Sequence, residues 1–321
     1  MNLRIISVIA FVGLSACKPT STGIPVVGFV DAFQDNTIAQ AREGFEAALA
    51  KNGFSEKAKT MKIVYRNAQG NIPTLTQIVQ YFQSQEVTLI ATCPSLSTIT
   101  AVQNTTKIPI FMMVSPTPSL MHVTDAKGNA PADLFGVAED LAYIDTSFLL
   151  IPRIIHSPAG RLTVGMLFNQ SEPQSVEAIH RIQELAAQYG VTLLSLPVNA
   201  SADVPLVTAA LLRKHIDAFF ANPDNTVFAS FESIEQSCRQ ARVPIFTSEA
   251  GLVSRGALAA YGADIYQWGY QAGEQAAPFL RTKNTNGIHW EMVRVRKKVF
   301  NPSVAEFYHL TIPSNFEPIA R

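Results

Sequence analysis

Apolar and polar positions follow two alternating rhythms along this chain. Short apolar runs of strand length cover Pro25–Val30, Lys62–Tyr65, Val87–Ala91 and Ile108–Val114. Between them lie longer segments whose apolar residues recur every three to four positions. The first of these follows Asp35 and Asn36, both good helix N-caps, and carries Ile38, Ala41, Phe45, Ala48 and Leu49 until Gly53 stops it. Ile72–Gln85 and Ser95–Val102 read as the next two helices. The rhythm then returns. Strands over Leu162–Phe168, Val191–Leu196, Ile216–Ala221 and Val243–Thr247 alternate with helices over Ser175–Tyr189, Ala202–Lys214 and Thr226–Arg239. Leu258–Tyr261 is the last strand before a helix from about Ile265 to Leu280, and Trp290–Val299 alternates as a hinge or edge strand. Strands alternating with helices predict parallel, doubly wound sheets.

The two halves echo each other in detail. Lys107-Ile108-Pro109-Ile110-Phe111 is answered by Arg242-Val243-Pro244-Ile245-Phe246, Val27-Gly28-Phe29 by Val164-Gly165-Met166, and the helix end Asn52-Gly53 by Tyr189-Gly190. The offsets are 135, 137 and 137 residues. A near-constant offset of that size points to two similar lobes rather than a solenoid. A cleft between lobes is where small ligands bind. The expected fold class is therefore α/β, with two Rossmann-like doubly wound lobes, a hinge and an interlobe cleft. The expected first lobe is 24–138 plus about 266–283; the second is 139–265, which shares part of 284–321 with the hinge.

Composition narrows the function. The 321 residues hold 25 basic and 25 acidic side chains, and the zero net charge leaves no basic field for nucleic acid. With 47% hydrophobic and only 16% charged residues, each lobe can bury its own core. At the N-terminus, Ile5–Leu14 is apolar but too short to span a bilayer as a mature helix. It leads into Leu14-Ser15-Ala16-Cys17, which resembles a bacterial lipoprotein signal cut before Cys17, whose thiol then receives lipid. Residues 1–16 are then a signal peptide and 17–23 a tether; an ordinary secretory signal with an incidental cysteine is the alternative. Cys93 and Cys238 fall in different lobes and read as small buried apolar residues, not a disulfide. The six His are scattered with no ligand-spaced pair, so no metal is expected. Nucleophile-elbow, Walker, HExxH and GxGxxG motifs are missing from the sequence, so neither an enzyme nor a cofactor is expected.

In doubly wound sheets the ligand meets loops at the carboxyl ends of the strands. Here those loops begin at Asp31, Thr92, Ser115, Asn169, Asn222 and Ser248, and they are rich in Ser, Thr, Asn and Asp. Such residues bind a small polar ligand or simply cap the helix that follows. A helix opening at Ser95-Leu96-Ser97 would aim free N–H groups and its positive dipole end at a carboxylate or phosphate. Asp224, beside Asn225, and Glu249 stand in loops of the opposite lobe, where a carboxylate would receive an ammonium. Phe33 and Tyr266 would supply an aromatic wall. Trp268 and Tyr270 would suit stacking on a sugar, but their helical spacing reads as packing.

Five segments then carry a resemblance: Arg42-Glu43-Gly44-Phe45, Tyr65–Gly70, Pro223-Asp224-Asn225-Thr226, Arg255–Gly262 and Leu310-Thr311-Ile312-Pro313. Together they resemble the extracytoplasmic substrate-binding proteins of ABC transporters, in the branch associated with tryptophan and tyrosine uptake. The resemblance implies a class I periplasmic-binding-protein-like fold and closure on a ligand. It also implies delivery to a permease with its ATPase, by a lipid-anchored monomer on a bacterial membrane. By resemblance, Asp224 and Asn225 fall in the cleft motif, and Ser95 and Ser97 in the small-residue loop. Two loops depart from the pattern: Ser115-Pro116 replaces an acidic Asp-Pro pair, and Ser248-Glu249 replaces Ser-Asp. The expected ligand is an amino acid, with an aromatic one as the finer expectation. A sugar or nucleoside on the same fold, or ligand sensing without transport, are the alternatives.

Overall fold

A computed structural model describes residues 23–105, 107–157 and 160–319. The expected lipidation at Cys17 and the signal segment 1–16 lie outside them. The first sheet holds β1 (Val26–Asp31), β2 (Lys62–Asn67), β3 (Leu89–Cys93), β4 (Ile110–Pro116), β5 (Leu134–Glu139) and, from far along the chain, β11 (Glu291–Met292). The second holds β6 (Thr163–Asn169), β7 (Thr192–Val198), β8 (Ala218–Ala221), β9 (Ile245–Thr247), β10 (Ala259–Ala263), β12 (Arg296–Phe300) and β13 (Glu317–Pro318). Their orders are β2-β1-β3-β4-β5-β11 and β7-β6-β8-β9-β10-β12-β13. Among the described residues only the β10–β12 pair is antiparallel. Each sheet thus reverses its strand order beside its first strand, the switch point at which doubly wound sheets bind ligands.

The repeat read from the sequence is this shared topology. β1 and β6 carry the Val-Gly echo, and β4 and β9 follow the Ile-Pro/Val-Pro echo. Both glycines serve the same end. A Cβ on Gly28 would sit 2.8 Å from the Phe82 ring, and one on Gly165 would sit 2.5 Å from Ile216 Cδ1. Large apolar side chains therefore cover the first strand of each lobe where its Cβ would have been.

Helices clothe both faces. In the first lobe α1 (Asn36–Lys51) packs on one face, and α2 (Ile72–Ser84) and α3 (Ser95–Asn104) on the other. In the second lobe α4 (Ala142–Phe148), α5 (Ile151–Ile154), α6 (Pro173–Gln188) and α12 (Pro302–Tyr308) cover one face. The opposite face carries α7 (Val204–Leu212), α8 (Asn225–Ala229), α9 (Phe231–Gln240) and α10 (Ala250–Ser254). α11 (Ile265–Thr282) follows β10 of the second sheet but packs against α1, β4 and β5 of the first. Backbones touch there: a Cβ on Gly44 would lie 2.0 Å from the Tyr266 carbonyl oxygen.

Among the described residues the chain crosses between the sheets three times: from β5 to α4, from β10 to α11, and from β11 to β12. The segment Trp290–Val299 serves as both hinge and edge. Its start extends the first sheet and its end pairs with β10 in the second. Two readings need correction. The single helix expected over Thr226–Arg239 is broken at Ser230 into α8 and α9. β5 was missed because its apolar run, Leu-Phe-Gly-Val-Ala-Glu, follows a long irregular stretch with no helix before it. Among the described residues no helix is long and apolar enough to cross a membrane.

Candidate functional site

The carboxyl ends of both sheets face one small cavity of about 40 Å³ between the lobes. Ser95, Val114, Ser115, Pro116, Glu139 and Trp268 line it from the first lobe and its packed helix. From the second come Tyr143, Gln174, Pro223, Asn225, Phe228 and Glu249, and Leu141 comes from the crossover between lobes. The lobes touch around it. Asn225 Nδ2 donates to Ser95 Oγ at 3.2 Å. Arg255 Nη1 donates to Asp35 Oδ2 at 2.6 Å and to Thr37 Oγ1 at 3.1 Å. A Cβ on Gly251 would meet Thr37 Cγ2 at 2.1 Å, so α10 and the start of α1 lie in close contact. The cleft is closed.

The first-lobe side is built from hydroxyls. Ser115 Oγ lies 2.9 Å from Thr98 Oγ1 and 3.2 Å from Met113 O, and Thr98 Oγ1 in turn lies 2.8 Å from Thr92 Oγ1, all within hydrogen-bond reach. Ser97 Oγ donates to Cys93 O at 2.9 Å and does not line the cavity. α3 opens after Pro94 with no side-chain cap. The Ser97 and Thr98 N–H groups turn back to Pro94 O (3.1 and 3.3 Å), which leaves those of Ser95 and Leu96 without a helical acceptor.

The second-lobe side rests on buried acids. Asp224 is 1% exposed and does not line the cavity. Its Oδ1 accepts Val227 N–H at 2.9 Å, capping α8, and its Oδ2 accepts Ser175 Oγ–H (2.6 Å) and Asn169 N–H (2.5 Å). It is therefore not the free carboxylate that would receive an ammonium. Asn169 likewise turns inward and donates its amide to Thr226 Oγ1 at 2.8 Å. Beneath Asn225 lies Glu172, which the sequence reading missed. Its Oε2 accepts the Asn225 amide (2.8 Å), Asn225 N–H (2.9 Å) and the Gln174 amide (2.6 Å). Burial, then the nearby Asp224 charge, push Glu172 up to about 8, while donors from Asn225 and Thr226 pull it down. Burial also raises Asp224.

Glu249 is the acid that does line the cavity. It is 4% exposed, and its Oε2 has no hydrogen-bond partner among the described residues. Burial, then the charges of Glu139 and Asp35, push its carboxyl well up. Glu139, at the end of β5, is held by Arg296 from the third crossover, with Nε to Oε2 at 3.0 Å and Nη2 to Oε1. Burial raises Glu139 to about 7 against the pull of Arg296.

The aromatic wall differs from the one expected. Phe33 packs with the first-lobe core, its carbonyl accepting from Asn67 Nδ2 at 2.9 Å. Tyr266 stacks on Tyr270, ring centroids 6.3 Å apart. Neither lines the cavity. Tyr143, Phe228 and Trp268 do, and Trp268 is anchored by its indole N–H donating to Val137 O at 2.8 Å. Of the expected site residues, the fold brings Ser95, Ser115, Asn225 and Glu249 together at the cavity; Phe33, Ser97, Asn169, Asp224 and Tyr266 lie off it. Trp268 was legible as a large aromatic, but its helical spacing could not tell packing from lining. Among the described residues no cluster of His, Cys, Asp or Glu is arranged to hold a metal ion.

The family described as ABC transporter substrate binding protein matches residues 25–320. A tyrosine-binding protein from Clostridioides difficile is 27% identical over 262 residues, covering 82% of this chain and 74% of its own. The crystal structure of an ABC domain from Streptococcus pneumonia in complex with L-Trp superposes with a TM-score of 0.81 at 19% identity, covering 92% of this chain and 99% of that one. A ligand-free, open substrate-binding protein with adhesive properties from Clostridium difficile gives 0.67 at 23% identity, with the same coverage.

Proposed function

Taking as premise that the chain belongs to the ABC transporter substrate-binding proteins, we propose that it captures an amino acid with an aromatic side chain and delivers it to an ABC permease and its ATPase. The observation that carries this reading is the polarity of the cavity. The uncapped start of α3 with Ser95 stands on one lobe, the unpartnered Glu249 Oε2 on the other, and Tyr143, Phe228 and Trp268 between them. A carboxylate is received by N–H groups and a dipole end. An ammonium is received by a carboxylate, and a ring by aromatic walls. The tyrosine-binding relative and the L-Trp complex support an aromatic ligand.

The lobes act as two jaws, 24–138 with about 266–283, and 139–265 with part of 284–321. Ligand contacts to both jaws favour the closed state, so binding shifts the population toward it. The protein works outside the cytoplasmic membrane as a monomer, held by lipid on Cys17. A thermal-shift screen against amino acids, sugars and nucleosides tests the ligand class. A ligand at a hundred times its Kd adds about 2.7 kcal/mol of stability. A shift with tryptophan, tyrosine or phenylalanine is expected. A shift confined to a sugar or nucleoside would discard the amino-acid reading.

A further inference from the structure

The hydrogen-bonding inventory of the cavity is lopsided toward acceptors. Glu249 and Gln174 both line it, at 4% and 6% exposure, and Glu249 Oε2 and Gln174 Oε1 have no partner among the described residues. Ser115 adds a third acceptor, because both partners within reach of its proton, Met113 O and Thr98 Oγ1, lie inside its own lobe. Against these stand the Ser95 hydroxyl, which accepts from Asn225 and keeps its proton to give, and the N–H groups at the start of α3. Among the described residues no Lys, Arg or His side chain lines the cavity. The Arg296 guanidinium is committed to both oxygens of Glu139. That pair is balanced, and Glu249 is left as the uncompensated acid.

A buried carboxylate without a cation is unfavourable. A ligand cation relieves it; a ligand carboxylate does not, and meets only a hydroxyl and one helix end. Resting on the amino-acid reading above, we propose that this cleft reads the cationic nitrogen and the ring of its ligand more stringently than the carboxylate. Arylalkyl amines that lack the carboxylate are then ligands too, and aryl acids that lack the nitrogen are not. Burial, then the charges of Glu139 and Asp35, push the Glu249 carboxyl well up, so a ligand ammonium beside it draws it back to the carboxylate and releases a proton.

Titration calorimetry of the protein at neutral pH with three matched series decides this. The series are phenylalanine, tyrosine and tryptophan; phenethylamine, tyramine and tryptamine; and the corresponding aryl-propionic acids. Each amine is expected within about tenfold of its amino acid, and each acid weaker by more than about a hundredfold. Glu249→Gln is expected to weaken the amines by about a hundredfold without weakening the acids. The wild-type comparison stands by itself should that variant fail to fold. Amino acids and acids binding while amines do not would overturn this proposal alone. Amine affinity unchanged in folded Glu249→Gln would overturn it as well. Failure of all three series to bind would overturn the amino-acid reading together with it.

Discussion

The two lobes share strand order and differ in chemistry. At the first-lobe strand ends, hydroxyls satisfy one another and the backbone: Thr92 to Thr98 to Ser115 to Met113 O, and Ser97 to Cys93 O. At the second-lobe ends, two buried acids organise the loops, Asp224 under α8 and Glu172 under Asn225, while Glu249 faces the cavity. A hydroxyl-rich jaw whose lining acid, Glu139, is paired with Arg296 thus meets one whose lining acid, Glu249, has an oxygen without a partner. One topology fixes where the loops go. The side chains on those loops give the cleft a direction.

Breaking the acidic floor gives the largest effect. Asp224→Ala removes the partner of Val227 N–H, Asn169 N–H and Ser175 Oγ–H. A stability loss of about 3–5 kcal/mol is expected, read from denaturant midpoints. An unchanged midpoint would mean that the floor is not structural.

The same acids set the pH dependence. Burial foremost raises Glu172 to about 8, and Glu139 and Asp31 each to about 7, whereas the unfolded chain titrates them near its ordinary carboxyl values. Folding therefore favours their protonated forms. Their contribution is fully present below the unfolded values and is lost as pH rises through about 7 to 8. The ligand-free protein is expected to melt higher near pH 5 than near pH 8. The opposite slope would show that the donors around Glu172 outweigh its burial.

The contact between the jaws comes next. Gly251→Val places bulk where Thr37 already fills the space, and is expected to cost about 1–3 kcal/mol of ligand affinity by opposing closure. Arg255→Ala removes the bonds to Asp35 and Thr37 across the cleft and those to Glu232 within the second lobe. It should weaken binding by about 2 kcal/mol, mainly through faster release in stopped-flow measurement. Affinity untouched in both variants would mean that binding does not require this closed contact. Ser97→Ala, on the hydroxyl-rich jaw and off the cavity, is expected to cost about 1 kcal/mol of stability and no affinity. A loss of affinity there would make the first lobe more than a satisfied scaffold.

Hydrophobic periodicity and the echo of Val27-Gly28 in Val164-Gly165 were enough to read two doubly wound lobes, because burial of one face of each element is a local, repeating demand. The same locality put Ser95, Ser115, Asn225 and Glu249 at strand ends, where such folds bind ligands. What lies outside that reach is direction. Asp224 and Glu249 look alike in the sequence, as polar acids in cleft loops. Asp224 is turned inward by Asn169 and Ser175, which come from other segments, while Glu249 is left without a partner for Oε2. Trp268 and Tyr266 lie two positions apart on α11, a helical offset that faces them apart, and only the packing of that helix on α1 decides which one lines the cavity. Glu139 waits on its pairing with Arg296 from a distant crossover. The sequence by itself determined the elements, their repetition and the loops that meet at the cleft, since these follow from short-range pattern. Tertiary structure alone decided which acids are satisfied and which remain free, because a side chain's partners are chosen by segments that meet only when the chain is folded.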